Sequence, residues 1–126
     1  MKPREEDLSK IHQFYQEFCR YKNISYNFIK EPRARYSRKK TELIRIFLGA
    51  MIHLYMPETF IVKKITPLTY GFLTAIGKVT DKTKFKLSEE VNKVITMERV
   101  YPDFKGEVEL FLSHLNTVTI YYAHQK

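Results

Sequence analysis

The segment from Lys40 to Tyr55 constrains this chain more than any other. Leu43, Ile44, Phe47, Leu48, Met51 and Leu54 recur at helical spacing and give it a broad apolar face. Gly49 and Ala50 lie within the segment and are small enough to let a neighbour approach closely. A helix so widely apolar must be wrapped by others, so it is expected to be the central, most buried element. Pro57 ends it or begins the next one.

The rest of the chain reads as helices that could do the wrapping. Leu8, Ile11, Tyr15, Phe18 and Cys19 predict a helix over 5–21, with Glu5, Glu6 and Asp7 at the end where the helix dipole favours acids. Asn23 is a reasonable stop, and residues 24–29 form a short second element. Residues 58–65 fit a strand or a two-turn helix, too short a stretch for periodicity to decide. Thr66 and Pro67 read as the cap and first position of a helix reaching about Val79, with Leu68, Phe72, Ala75, Ile76 and Val79 inward. Gly71 and Gly77 weaken that helix by roughly 1 kcal/mol each, so packing must hold it. A polar connection over 80–86 leads to a helix capped by Ser88 and running to Val100. Tyr101-Pro102 breaks it, and a last helix spans 103–115. The tail 117–126 reads as a short strand, a helix extension or a loose end. The expectation is one all-α domain over 1–126, of five to seven helices.

At 126 residues the chain can bury one core. No stretch approaches the ~20 apolar residues of a membrane span, so no membrane partner is expected. Residues Met1 to Lys10 are charged and lack the apolar centre of a secretory leader. A lone cysteine, Cys19, fits a reducing, cytoplasmic setting. Four scattered histidines with one cysteine offer no metal spacing, and no phosphate-cradling glycine loop is present, so no metal or cofactor is expected. No Ser/His/Asp or Cys/His order is legible, so the chain is not read as an enzyme.

Charge supplies the functional signal. The formal net charge is +8. Residues 30–45 hold seven basic and two acidic side chains, a net of +5, whereas residues 81–126 balance to zero. Such an excess favours an anionic partner, most often nucleic acid. The basic loop at 30–40 precedes the buried helix, and a short element, a turn and a second helix then follow over about 58–79. That order is the helix-turn-helix layout, whose second helix enters the major groove of DNA. Thr66, Thr69, Tyr70 and Thr74 fall on the outward face of that second helix.

These pieces resemble the C-terminal DNA-binding domain of the bacterial chromosomal replication initiator DnaA. Tyr21-Lys22-Asn23-Ile24 matches the family's start, and Arg33-Ala34-Arg35-Tyr36-Ser37-Arg38-Lys39-Lys40 matches its Arg-x-Arg basic loop. At the signature helix, Phe72, Ala75, Lys78 and Val79 keep the pattern, while Leu68-Thr69-Tyr70-Gly71 replaces the core that reads the family's site. The resemblance implies a Trp-repressor-like helical fold that binds double-stranded DNA in replication or transcription control. By position it implies that Arg33 and Arg35 reach a minor groove or nearby phosphates. Arg38, Lys39 and Lys40 would neutralise phosphates, and Lys78 would touch the backbone. Thr69 and Tyr70 would stand at base edges. A competing expectation is a phage or mobile-element interaction module that ignores DNA. Nine Tyr and nine Phe favour an interface, and the late helices at 88–115 leave a homo-oligomer open.

Overall fold

A computed structural model describes residues 10–25, 38–62 and 69–118, apart from the side chains of Val62, Thr69, Tyr70 and Lys84. Six helices and no strand occur among the described residues: α1 (Ile11–Lys22), α2 (Arg38–Tyr55), α3 (Glu58–Val62), α4 (Thr69–Thr80), α5 (Lys84–Val100) and α6 (Pro102–Leu115). The domain is all-α, as the apolar periodicity requires. The expected element at 24–29, the helix start at Thr66-Pro67 and the end of the tail lie mostly or wholly outside the described residues.

Helix α2 is the hub, packed against α1, α5 and α6, while α4 rests on α5 and α1. Every apolar residue that predicts α2 is buried except Leu54, which is half-buried, and Ile46 and Ile52 are buried too. Burial on more than one face is what a hub needs. Gly49 marks the tightest approach: a Cβ there would stand 3.2 Å from Val108 Cγ2 of α6 and 3.4 Å from Val94 Cγ1 of α5. Aromatic rings fill the space between helices. Phe18 meets Phe47 at 5.5 Å and Phe111 at 4.9 Å, tying α1 to α2 and α6, and Tyr55 meets Phe72 of α4 at 5.8 Å.

Helix ends follow local chemistry. Asn23 takes the left-handed conformation (φ 56°) that stops α1, and the N–H of Ile24 donates to the carbonyl of Cys19 at 2.9 Å. The segment 58–65 resolves as helix over Glu58–Val62. Helix α4 extends to Thr80 and ends on left-handed Asp81 (φ 59°). Gly77 is required by this turn, because a Cβ there would collide with the carbonyl oxygen of Lys82 as the chain folds back.

Two helix starts differ from expectation. Helix α1 begins at Ile11, with Lys10 as its N-cap and no acid in its first turn, rather than at the acidic run of Glu5, Glu6 and Asp7. The other, α5, begins early. Helix α5 starts at Lys84, four residues before Ser88, so the polar connection shrinks to Asp81–Thr83. The cap is Thr83, whose hydroxyl accepts from the N–H of Lys86 at 3.1 Å. Leu87, fully buried, anchors this first turn. The lysine-rich sequence looks like a loop, but lysine is a good helix former once a cap and one apolar anchor are in place.

Candidate nucleic-acid interface

The cations of the basic stretch do not share one environment. Arg38 and Lys39 open α2 and are exposed. Lys40, expected to neutralise a phosphate, is only 5% exposed. Its position explains this: it lies three, four and seven residues before Leu43, Ile44 and Phe47, on the face turned to the core. An inward lysine buries its stem and leaves little of its charge for a surface ligand. On α4, Thr74 and Lys78 are exposed and one helical turn apart. Thr69 and Tyr70 occupy the first turn of α4, but their side chains are not described. Arg33, Arg35 and Thr66 lie outside the described residues.

A cationic groove lies where α2 faces α5. It is lined by Thr41, Ile44 and Arg45 of α2, by Lys82 of the connection, and by Lys86, Glu90 and Lys93 of α5, with a volume of about 390 Å³. Helical register builds it. Thr41 and Arg45 are four apart on α2, with Arg38 one turn further toward its start; Lys86, Glu90 and Lys93 fall on one face of α5. Lys82 joins them because Gly77 lets the chain turn tightly after α4.

The groove has four cations and one carboxylate. Arg45 Nε donates to Glu90 Oε2 at 2.6 Å, and Arg45 Nη1 points at Met97 Sδ, 3.8 Å away. Glu90 is buried, so its charge is spent on Arg45 and fixes that guanidinium in place. Lys86 lies 3.7 Å from Glu89, but both are well exposed and such a pair holds little. Lys82 and Lys93 have no ion-pair partner among the described residues. The positive charge that remains faces the opening.

Of these groove residues, Arg45 belongs to the basic stretch of the sequence, but Lys82, Lys86 and Lys93 come from a segment of zero net charge. Their one sequence signal is the seven-residue interval between Lys86 and Lys93, which puts both on one face of any helix that begins before Ser88. Helix α4 reaches the groove at its C-terminal end, through Lys82. Its first turn lies about 16 Å away along the helix axis, at 1.5 Å per residue.

Two histidines pair with carboxylates elsewhere. His53 Nε2 and Glu98 Oε1 share a 2.6 Å hydrogen bond between α2 and α5, with Phe60 stacked on the imidazole at 4.3 Å. His114 Nε2 and Glu17 Oε2 do the same at 2.7 Å between α6 and α1. Both pairs staple neighbouring helices. Among the described residues no group of three or more His, Cys, Asp or Glu side chains could hold a metal, and no helix is long and apolar enough to cross a membrane. A scan against protein-family models finds no match to this chain, and neither do searches of curated proteins and of solved structures.

Proposed function

We propose that this protein binds double-stranded DNA, gripping the phosphate backbone with the groove between α2 and α5. The observation that carries this reading is the convergence of Arg45, Lys82, Lys86 and Lys93 on one opening whose sole carboxylate is already neutralised. Arg38, exposed and three and seven residues before Thr41 and Arg45, extends the positive surface toward the start of α2; Lys39 is exposed on the neighbouring stripe and Lys78 on α4. A groove of fixed guanidinium and free ammonium groups suits phosphates, which set affinity and register. The resemblance to the DnaA DNA-binding domain points to the same ligand, with α4 as the helix facing the bases and replication or transcription control as the setting. In this reading the lysines at the C-terminal end of α4 anchor the backbone, while Thr74 and the first turn of α4 lie toward the bases.

Fluorescence anisotropy with a labelled duplex tests the proposal. With about six phosphate contacts, affinity should fall on the order of 10³-fold between about 50 and about 200 mM salt. Changing Lys82, Lys86 or Lys93 singly to Ala should lower the salt slope by about one each, uniformly across DNA sequences. Absence of duplex binding at the lower salt overturns the reading.

A further inference from the structure

An adjacent face of α2 carries a second groove of a different character. Its floor and walls are Ile46 of α2, Met97 of α5, Tyr101, and Phe104 and Leu110 of α6, enclosing about 620 Å³. Its rim is acidic: Glu42, Asp103 and Glu107 line it, and no basic residue does. Glu107 already holds Lys22 at 2.7 Å, whereas Glu42 and Asp103 have no ion-pair partner among the described residues. In a chain of net charge +8 this is a local reversal of sign.

Two large apolar side chains that line the groove are left in water, Tyr101 at 56% and Leu110 at 58% exposure, and Val100, next to Tyr101 in the chain, is 51% exposed. Apolar groups gathered around a concave surface mark a docking site better than scattered ones do, and Tyr is among the residues enriched at interfaces. Gly106 adds to the concavity. It sits in mid-helix, where glycine costs about 1 kcal/mol relative to alanine, and a Cβ there would meet nothing within 4 Å. Packing inside the domain therefore does not demand it, and the groove gains its space.

We infer that this groove between α2 and the α5–α6 corner docks a cationic amphipathic helix of another protein. A groove bounded by helices accepts a helix whose apolar residues repeat at i, i+4 and i+7. The rim specifies lysine or arginine on the flanks of that helix by charge complementarity. A second copy of this chain fits poorly, because a two-fold interface centred on this groove would bring both copies' acidic rims into one contact. Nucleic acid is repelled by the same carboxylates. The docking site is thus separate from the DNA-binding groove and does not depend on it.

The probe is a fluorescein-labelled synthetic helical peptide with leucines at i, i+4 and i+7 and lysines on both flanks, compared with its glutamate-flanked twin. The lysine peptide should bind at least about tenfold more tightly than the twin. Gly106→Trp fills the groove and should weaken binding about tenfold or more; Leu110→Asp, an exposed site that cannot threaten the core, should do the same. Glu42→Gln with Asp103→Asn should erase the preference for the lysine peptide. Circular dichroism confirms that each variant stays folded. Failure of the lysine peptide to bind, equal binding of the two peptides, or indifference to both groove variants overturns the inference. So does a dimer in sedimentation analysis that Gly106→Trp abolishes, which would make a second copy the occupant. Loss of duplex binding by the lysine variants of the other groove, with peptide binding intact, would bear on the DNA reading alone.

Discussion

The two grooves beside α2 draw on neighbouring residues of the same helices and carry opposite chemistry. Thr41, Ile44 and Arg45 face one; Glu42 and Ile46 face the other. Residues next to each other in sequence turn about 100° apart on a helix, so one helix divides its charges between two surfaces. Helix α5 divides its stripe along its length instead: Lys86, Glu90, Lys93 and Met97 share one face, the first three lining the cationic groove and Met97, one turn further on, the acidic one. The two grooves come together at Arg45 and Met97, whose Nη1 and Sδ stand 3.8 Å apart. The cationic groove is lined by polar and charged residues except for Ile44, and its one acid is consumed internally. The acidic groove is mostly apolar, and two of its acids keep their charge for a ligand. A uniformly basic surface would repel basic partners; this division gives an anionic and a cationic ligand separate faces.

The largest expected effect separates the grooves outright. Lys82→Glu, Lys86→Glu and Lys93→Glu together should reduce duplex affinity by about 10³-fold or more, while Gly106→Trp should leave it within about twofold; anisotropy measures both. Equal losses would mean that the two surfaces are one.

Gly77→Ala comes next. The new Cβ meets the backbone of Lys82, which cannot move aside as a side-chain tip can, so the turn carrying Lys82 must shift. Thermal or urea unfolding should show a loss of about 3 kcal/mol, and duplex binding should weaken while peptide binding persists. A neutral result would show that the turn is not held as described.

Arg45→Ala tests the shared wall. It strands the Glu90 carboxylate, which is buried, and should cost about 2 kcal/mol. That is less than for a fully buried pair, because Arg45 retains some contact with water. Adding Glu90→Leu should restore most of that stability but not DNA affinity, which distinguishes loss of a ligand contact from loss of structure. Restored affinity would remove Arg45 from the interface.

The smallest effect is a control on the core. Burial pushes the Cys19 thiol above its ordinary value of 9.0, and the hydrogen bond involving Tyr15 opposes this only in part. The unfolded thiol therefore ionises first. Its contribution to stability is full below about pH 9 and declines as pH rises through the folded value. Urea unfolding between pH 8 and 10, compared with a Cys19→Ala chain, should show this slight slope. Cys19 lines neither groove, so occupying either one should leave the slope unchanged; a changed slope would reveal coupling through α1.

Much of the fold is legible because its causes are local. The stripe over 40–55, the stop at Asn23 and the break at Tyr101-Pro102 each depend on residues within a turn or two, and each stands where the pattern puts it. The start of α5 is less legible, since its signal is a modest cap at Thr83 and an anchor at Leu87 inside a lysine-rich run. Lys40 was legible in principle, because the register that buries Leu43 and Phe47 also turns it inward. A count of charge along the chain cannot see register, and so groups it with Arg38 and Lys39.

By itself the sequence determined that the chain is helical, which residues make its core, and that α2 is surrounded. Helical periodicity and burial of apolar faces act over a few residues and leave a readable trace. Tertiary structure alone decided which charges are neighbours. Residues 81–126 sum to zero, yet their lysines gather against Arg45 while Asp103 and Glu107 gather with Glu42 on an adjacent face. Coulomb forces depend on separation in space, and separation between helices is set by how α5 and α6 pack on α2. A one-dimensional charge balance averages away the segregation on which both grooves rest.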